Sequence, residues 1–158
     1  MDRLKVSLKP SGVLNYNINT IYSPPVDAIV PKETSFSLVM VYSDVKDKKQ
    51  TIPLITAKSY ILIGRSSNAD ITIKHPYDEF TSKEHCAFQF RDVDKQTKLY
   101  ICDLKSTNGT WLNGMQIPHK RYIELRHGDR IRLGEWEFED EDTGEMVYQG
   151  IEFIIVKI

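Results

Sequence analysis

The amino-acid sequence predicts an all-β fold, a β-sandwich of roughly eleven strands, and three observations carry that prediction. From residue 35 onward, short apolar or alternating runs recur at intervals of about 8–12 residues and are separated by turn-forming residues. No window keeps the 3.6-residue apolar period of an amphipathic helix, which argues against an α/β fold. The 158 residues, 41% of them hydrophobic, suffice for one well-cored domain.

The first part of the chain, residues 1–34, is predicted to be an irregular N-terminal arm. Residues that interrupt regular elements recur along it: Pro10, Gly12, Pro24, Pro25 and Pro31. Short apolar pieces between them indicate that parts of the arm pack on something. The sequence leaves open whether the arm packs on the chain's own domain or on a partner.

Residues 35–158 are predicted to form the domain. Its β-like runs cover residues 36–42, 52–56, 60–63, 71–73, 85–90, 99–102, 111–112, 116–117, 122–125, 130–133, 135–138 and 151–158. The acidic loop at residues 139–144 is predicted to be a solvated hairpin tip.

Composition limits the function. The formal net charge of −1 gives no general attraction to nucleic acid or acidic membranes, so any anion site must be local. The His and Cys residues are too scattered for a zinc site, and no cofactor is predicted. Cys86 and Cys102 lie in apolar runs and are predicted to be buried free thiols in a reducing compartment. Without a signal peptide or membrane span, a soluble intracellular protein is expected.

The most informative stretch is residues 103–114, which contains two Asn-Gly pairs. Asn-Gly is typical of hairpin turns, because both residues tolerate positive φ. Ser106, Thr107 and Asn108 therefore lie where hydroxyls, an amide and free backbone N–H groups can converge on a ligand. Taken alone, the stretch is also consistent with an ordinary polar turn, so the rest of the chain must decide.

Two other loops carry groups suited to an anion. Arg65 follows Gly64 at the end of an apolar strand, and its planar fork of five donors suits phosphate. Ser82 and Lys83 precede another strand and offer a hydroxyl and an ammonium group, with His85 two residues further on. Each loop alone is also consistent with a surface ion pair or an ordinary strand start.

Together the loops read Gly-Arg-x-x-x-x-Asp, Ser-Lys-x-His and Ser-Thr-Asn-Gly-Thr-x-x-Asn-Gly. In this order on an all-β chain they resemble the forkhead-associated (FHA) domain family over residues 63–134, and the strand pattern extends the resemblance over 35–158. Residues 73–76 and 121–125 add a narrower resemblance, to the FHA subunits of the pre-mRNA retention and splicing (RES) complex, the pre-mRNA leakage protein type.

The resemblance implies a β-sandwich that binds phosphothreonine peptides through loops at one end. By that resemblance Arg65 would be the main phosphate clamp and Ser82 would donate its hydroxyl to the phosphate. Lys83 would add a charge or a backbone contact. Thr107 would approach the phosphate, and Asn108 would hold the peptide backbone.

Four further residues match family positions that shape the site without touching the ligand: Gly64, His85, Gly109 and Asn113. For His85 we expect a hydrogen bond that braces the loops, not a catalytic role. The chain departs from the family pattern at Lys105, where glycine is frequent. Asp78 and Glu79, just before Ser82, would oppose a dianion if they point inward.

The predicted function is recognition of a phosphothreonine-containing protein within a nuclear pre-mRNA splicing and retention complex, alongside other subunits of that complex. The alternative is a constitutive scaffold subunit whose pocket is dispensable and which docks through its arm or a sheet face. No catalytic motif is present, so an enzyme is not expected. Direct RNA binding is not expected either, because acidic residues interrupt the basic clusters at 119–121 and 126–132.

Overall fold

A computed structural model describes residues 27–31, 36–41, 51–54, 58–75, 77–140 and 142–157; for residues 136–140 and 145–149 only the backbone is considered. Residues 1–26 and 32–35, most of the predicted arm, lie outside the described residues. Within the described parts of the chain every regular element is a β-strand. Accordingly, no helix there is long and apolar enough to cross a bilayer.

The strands are short and their bounds follow the apolar runs. They are β1 (Ala28–Ile29), β2 (Phe36–Val41), β3 (Thr51–Pro53), β4 (Tyr60–Gly64), β5 (Ile71–Thr72), β6 (Cys86–Val93), β7 (Gln96–Asp103), β8 (Thr110–Leu112), β9 (Met115–Gln116), β10 (Tyr122–Leu125), β11 (Arg130–Leu133), β12 (Glu135–Asp140), β13 (Gly144–Gln149) and β14 (Glu152–Lys157).

Two sheets account for all of these strands except one hairpin. The first has the order β10-β7-β6-β4-β5, with β1 added to β6, and the second has the order β3-β2-β14-β11-β8-β9. Strands β12 and β13 form the separate hairpin. The described strands pair with one another in antiparallel fashion except β4 with β5, which is parallel.

The core is filled by alternate residues of both sheets, as the period-2 pattern requires. Phe88 and Phe90 of β6, with Phe153 and Ile155 of β14, are fully buried in one apolar cluster. The rings of Phe36 and Phe90 lie 6.2 Å apart at an angle of 48°, a tilted arrangement that aromatic pairs favour. The predicted all-β sandwich is confirmed.

Two of the fourteen strands in the described residues were not predicted. Strand β1 lies within the predicted arm and pairs Ala28 with Arg91 and Ile29 with Phe90. Strand β13 pairs residue by residue with β12. The acidic loop forms the tip of that hairpin, as expected, and its described residues 142–144 are exposed. The boundary between arm and domain at residues 34 and 35 stays a prediction.

The two Asn-Gly pairs behave differently. Asn113 and Gly114 form a two-residue hairpin loop between β8 and β9 with φ of 52° and 83°, as predicted. Asn108-Gly109 is not a hairpin turn, and that expectation was wrong. Strand β7 belongs to the first sheet and β8 to the second, so the loop between them crosses from sheet to sheet. This crossing forms one wall of the site described next.

Candidate functional site

Three loops meet at one end of the sandwich and line an open cleft of about 800 Å³. They are the β4–β5, β5–β6 and β7–β8 loops. The first two are joined by backbone bonds from Arg65 N to the Ser82 carbonyl (2.9 Å) and from Ser66 N to the Lys83 carbonyl (3.1 Å). The third joins them because the Thr107 amide donates to Ser82 Oγ over 3.0 Å. The cleft is therefore an integral part of the fold.

All five residues predicted to contact ligand line this cleft. The complete lining is Arg65, Ser66, Asp78, Glu79, Thr81, Ser82, Lys83, Glu84, Lys105, Thr107 and Asn108. The Arg65 side chain is held by one hydrogen bond, from Nε to the Thr81 carbonyl oxygen over 3.1 Å. That bond uses Nε, the inner nitrogen of the guanidinium, and ties this end of the group to the wall of the cleft. The assignment of these five residues to a phosphopeptide stays a prediction.

Gly64 lets the first two loops approach each other. A Cβ at this position would lie 2.1 Å from the Lys83 carbonyl oxygen, far inside van der Waals contact. Any larger residue would push apart the strand end that carries Arg65 and the backbone that carries Ser82. Glycine is required here for close approach, because its φ is not in the left-handed region.

His85 lies beneath the cleft and joins its loops through both ring nitrogens. The Ser82 amide donates to Nδ1 (3.0 Å), so Nε2 carries the proton and donates to the Gly109 carbonyl oxygen (2.8 Å). Burial lowers the pKa of His85, although the Asp103 charge and the Gly109 carbonyl oppose that shift. The imidazole is neutral near pH 7, and its contacts match the bracing role expected for it.

The β7–β8 loop is organised by Asp103, whose side chain is fully buried. Its carboxylate accepts from the Ser106 amide (3.2 Å), from Ser106 Oγ (2.5 Å) and from Thr110 Oγ1 (2.6 Å). A fourth contact comes from His119 Nδ1. That hydrogen bond raises the pKa of His119, against a smaller opposing effect of burial. Asp103 thus gathers the residues on both sides of Thr107 and Asn108.

Asn108 is anchored from both its side chain and its backbone. Its Nδ2 donates to the Phe80 carbonyl oxygen (3.3 Å), and its own carbonyl oxygen accepts from Trp111 Nε1 (3.2 Å). Gly134 makes room for this contact. A Cβ at Gly134, where φ is +100°, would lie 2.6 Å from both the carbonyl oxygen and the Cβ of Phe80.

The remaining predicted residues are divided between the cleft and its surroundings. Gly109, with φ of 82°, closes the β7–β8 loop and accepts the His85 bond. Asn113 lies outside the cleft lining. Its side chain donates to Asp129 (3.0 Å) and accepts from the Arg130 amide (2.9 Å), which fastens the β8–β9 hairpin to β11.

Lys105, where the family frequently has glycine, is exposed at the cleft. Its φ of 58° is in the left-handed region, which glycine adopts more readily than other residues, and this explains why glycine is suited to the position.

Asp103 was not predicted as a site residue, nor were Phe80, Thr81 and Gly134. For Asp103 a signal was available, because an Asp at the start of a polar turn often accepts bonds from residues two or three positions on. The contributions of Phe80 and Thr81 come from backbone carbonyls, which any residue could supply. Sequence patterns carry no signal for them.

The described residues hold no group of three or more His, Cys, Asp or Glu side chains that could bind a metal ion. Cys86 and Cys102 are both buried and free, as predicted. Burial raises the pKa of Cys86, and it raises the pKa of Cys102 to about 12. Neither thiol has the character of a nucleophile.

Comparison with known proteins gives a consistent result. The FHA domain family matches residues 61–134. Pre-mRNA leakage protein 1 of Saccharomyces cerevisiae is 33% identical over 90% of this chain and 84% of its own length. Smad nuclear-interacting protein 1 of Mus musculus is 35% identical over 82% of this chain, which spans 36% of the mouse protein.

Solved structures agree with these sequence relationships. A structure of the yeast Pml1 splicing factor, described with its integration into the RES complex, has a TM-score of 0.68 and 34% identity over 89% of this chain and 99% of that one. A structure described for phosphothreonine-dependent FHA domain interactions has a TM-score of 0.53 and 26% identity over 79% of this chain and 98% of that one.

Proposed function

The chain belongs to the pre-mRNA leakage protein 1 family and carries that family's FHA domain, and on this premise we propose that it is a phosphothreonine-dependent recruitment subunit of a nuclear pre-mRNA retention and splicing complex. The observation that carries the proposal is the convergence of Arg65, Ser82, Thr107 and Asn108 on one cleft. No catalytic step is part of it.

The cleft offers what a phosphothreonine needs. A phosphate of about −1.5 to −2 charge presents three acceptor oxygens. In the proposed complex Arg65 supplies its terminal amino groups and Ser82 its hydroxyl, while Asn108 bonds the peptide backbone. Hydrogen bonds to a charged group contribute roughly 1.5–3 kcal/mol each. Three or four of them, less the cost of ordering a peptide, correspond to micromolar binding at about −8 kcal/mol.

The direct test is calorimetry with phosphothreonine peptides and their unphosphorylated counterparts. We expect binding only of the phosphorylated form. Arg65→Ala should abolish it, and Arg65→Lys should weaken it markedly, because an ammonium cannot reproduce the two-pronged contact. Arg126→Ala, which removes an exposed guanidinium outside the cleft, is the matched control. Equal binding of both peptide forms, or binding unchanged in Arg65→Ala, would overturn the proposal.

A second candidate is a constitutive scaffold subunit with a dispensable pocket, and one observation favours it. Ser82 Oγ accepts the Thr107 amide, and Arg65 Nε donates to the Thr81 carbonyl. These residues therefore hold the loops together even without ligand, so an intact motif has a structural reason to exist.

Assembly assays separate the two candidates. The scaffold function predicts that Arg65→Ala leaves association with the RES partner subunits intact, whereas removal of residues 1–34 abolishes it. The recruitment function predicts that Arg65→Ala retains the complex but loses the phosphorylated protein. Pull-downs of the same complexes with and without phosphatase treatment distinguish these outcomes.

A further inference from the structure

The cleft is not simply basic, which is unexpected for a site built for a dianion. Three cations line it, Arg65, Lys83 and Lys105, but three carboxylates line it as well: Asp78, Glu79 and Glu84. Three positive and three negative groups give a formal sum of zero. The side chains of the lining therefore offer a phosphate no net positive charge, so its binding depends on short-range contacts with particular groups.

The two sets of charges do not neutralise each other. Among the described residues, no ion pair within 4.0 Å joins a cleft cation to a cleft carboxylate. In the described part of the chain, the ion-pair contact of the Asp78 carboxylate is with the exposed His75, at 3.9 Å. The acidic groups are therefore available to a ligand in the same way as the basic ones.

The acidic pair Asp78 and Glu79 lies in a turn that contacts both Asn108 and Arg65. Thr81 N bonds the Asp78 carbonyl over 3.0 Å and closes a turn over residues 78–81. Within that turn the Phe80 carbonyl accepts the Asn108 side chain. Because Asn108 is the residue proposed to hold the peptide backbone, Asp78 and Glu79 flank the expected course of the peptide.

We infer that the cleft selects phosphothreonine segments that carry a lysine or arginine within a few residues of the phosphothreonine, with Asp78 and Glu79 receiving that side chain. The inference rests on the proposed function. An extended peptide rises about 3.3 Å per residue, so neighbouring side chains can reach both halves of a cleft of this size. Such a ligand carries a negative phosphate and a positive side chain, and it therefore complements the mixed charges of the cleft lining. A segment with acidic flanks is rejected by the same two carboxylates.

Binding of phosphothreonine peptide pools to the full chain, measured by fluorescence anisotropy, tests this inference. The pools are degenerate at three positions on each side, with one position at a time set to Lys, Gln or Glu. At one or more positions we expect Lys to bind about fivefold more tightly than Gln, and Glu more weakly than Gln. The preference should shrink at high salt, since both partners are near the surface.

The double variant Asp78→Asn/Glu79→Gln should reduce this preference to within about twofold while binding the Gln pools at least as tightly as the wild type. The turn uses the backbone of Asp78, so we expect the variant to fold normally. Asp92→Asn/Asp94→Asn makes the same charge change outside the cleft, near the β6–β7 turn, and should retain the preference.

The outcomes separate the inference from its premise. If no pool binds in a phosphate-dependent manner, the proposed function fails. Phosphate-dependent binding that is indifferent to the flanking residue, or that favours Glu, overturns the inference alone. A preference for Lys that persists in Asp78→Asn/Glu79→Gln also overturns it, because the basic side chain is then received elsewhere.

Discussion

At the scale of single residues, two histidines brace the site with opposite protonation preferences. His85 is buried and neutral between Ser82 and Gly109, so the folded state lowers its pKa. His119 donates to the buried Asp103 carboxylate, which raises its pKa. Stability that depends on neutral His85 is present above its unfolded pKa of about 6.5 and is lost as pH falls. Stability from charged His119 is present below about 6.5 and is lost as pH rises through its raised folded pKa.

Opposite pH dependences are therefore predicted for His85→Gln and His119→Gln. The difference in unfolding free energy between wild type and His85→Gln should shrink as pH falls from about 8 to 5.5, whereas the difference for His119→Gln should grow over the same range. Urea denaturation across that range measures both. Parallel pH profiles for the two variants would contradict the assigned contacts.

Asp103→Asn is predicted to be one of the most damaging single substitutions in the site. The carboxylate accepts four hydrogen bonds in a fully buried position, whereas an amide keeps one oxygen and turns an N–H₂ group toward donors. A loss of about 3 kcal/mol is expected, with loss of phosphopeptide binding because Thr107 and Asn108 are no longer held. Denaturant unfolding and calorimetry measure these effects.

The control for Asp103→Asn is Asp92→Asn. Asp92 accepts a single exposed bond, from Thr97, and its replacement should change stability by less than about 0.5 kcal/mol. Equal stability of the two variants would mean that the Asp103 contacts do not organise the loop.

The residues that line the cleft could be predicted from the sequence where the chemistry of their side chains suits an anionic ligand. Arg65, Ser82, Lys83, Thr107 and Asn108 carry groups that suit a phosphopeptide, and they do meet at one cleft. The sequence could not indicate the carbonyls of Phe80 and Thr81, because a backbone acceptor leaves no trace in residue type. Asn113 shares the motif but lies outside the cleft lining, and its contacts support a hairpin.

At the scale of elements, the single residue between β11 and β12, Gly134, packs against a residue that holds the site. Gly134 adopts a φ of +100° and lies against Phe80, the residue whose carbonyl binds Asn108. Gly134→Ala should therefore cost about 2–4 kcal/mol, the sum of left-handed strain and a steric clash, and should weaken phosphopeptide binding. Thermal unfolding and calorimetry on the purified variant check both effects.

Gly128 provides the matched control, because its φ is +90° but a Cβ there meets open space. Gly128→Ala should cost only the backbone strain of about 1–2 kcal/mol and leave binding unchanged. If Gly134→Ala and Gly128→Ala lose the same stability, the clash with Phe80 contributes nothing to the destabilisation of Gly134→Ala.

Strands with a clear apolar alternation were predicted from the sequence. A strand that depends on pairing with a strand far away in the sequence was not. Strand β6, with its run of Cys86, Phe88 and Phe90, follows from sequence alone. Strand β1 has two residues and exists through its pairing with β6, supported by Asp27 3.6 Å from Arg91. The Asn108-Gly109 turn carries a hairpin signal, but the buried Asp103 network directs the chain to the other sheet.

At the scale of the whole molecule, the two buried cysteines offer a test of whether the sandwich unfolds as one unit. Cys86 and Cys102 lie on the adjacent strands β6 and β7 and are both fully buried. Cys86 belongs to the apolar core between the sheets, and Cys102, which pairs with Ala87 next to it, points to the other face of the first sheet. Burial also raises the pKa of both thiols. The folded state therefore lowers their reactivity in two ways, because it shields the sulfur atoms from solvent and disfavours the reactive thiolate.

Both thiols should therefore react with a maleimide only through global unfolding, at equal rates that increase together with urea. Mass spectrometry of the labelled peptides gives the two rates separately. The variants Cys86→Ala and Cys102→Ala confirm which thiol is being followed. A Cys102 that reacts faster than Cys86 in the absence of denaturant would show that the outer face of the first sheet opens locally while the core stays closed. In that case the outer face of the first sheet opens while the two sheets stay packed against each other, and the sandwich does not unfold as a single unit.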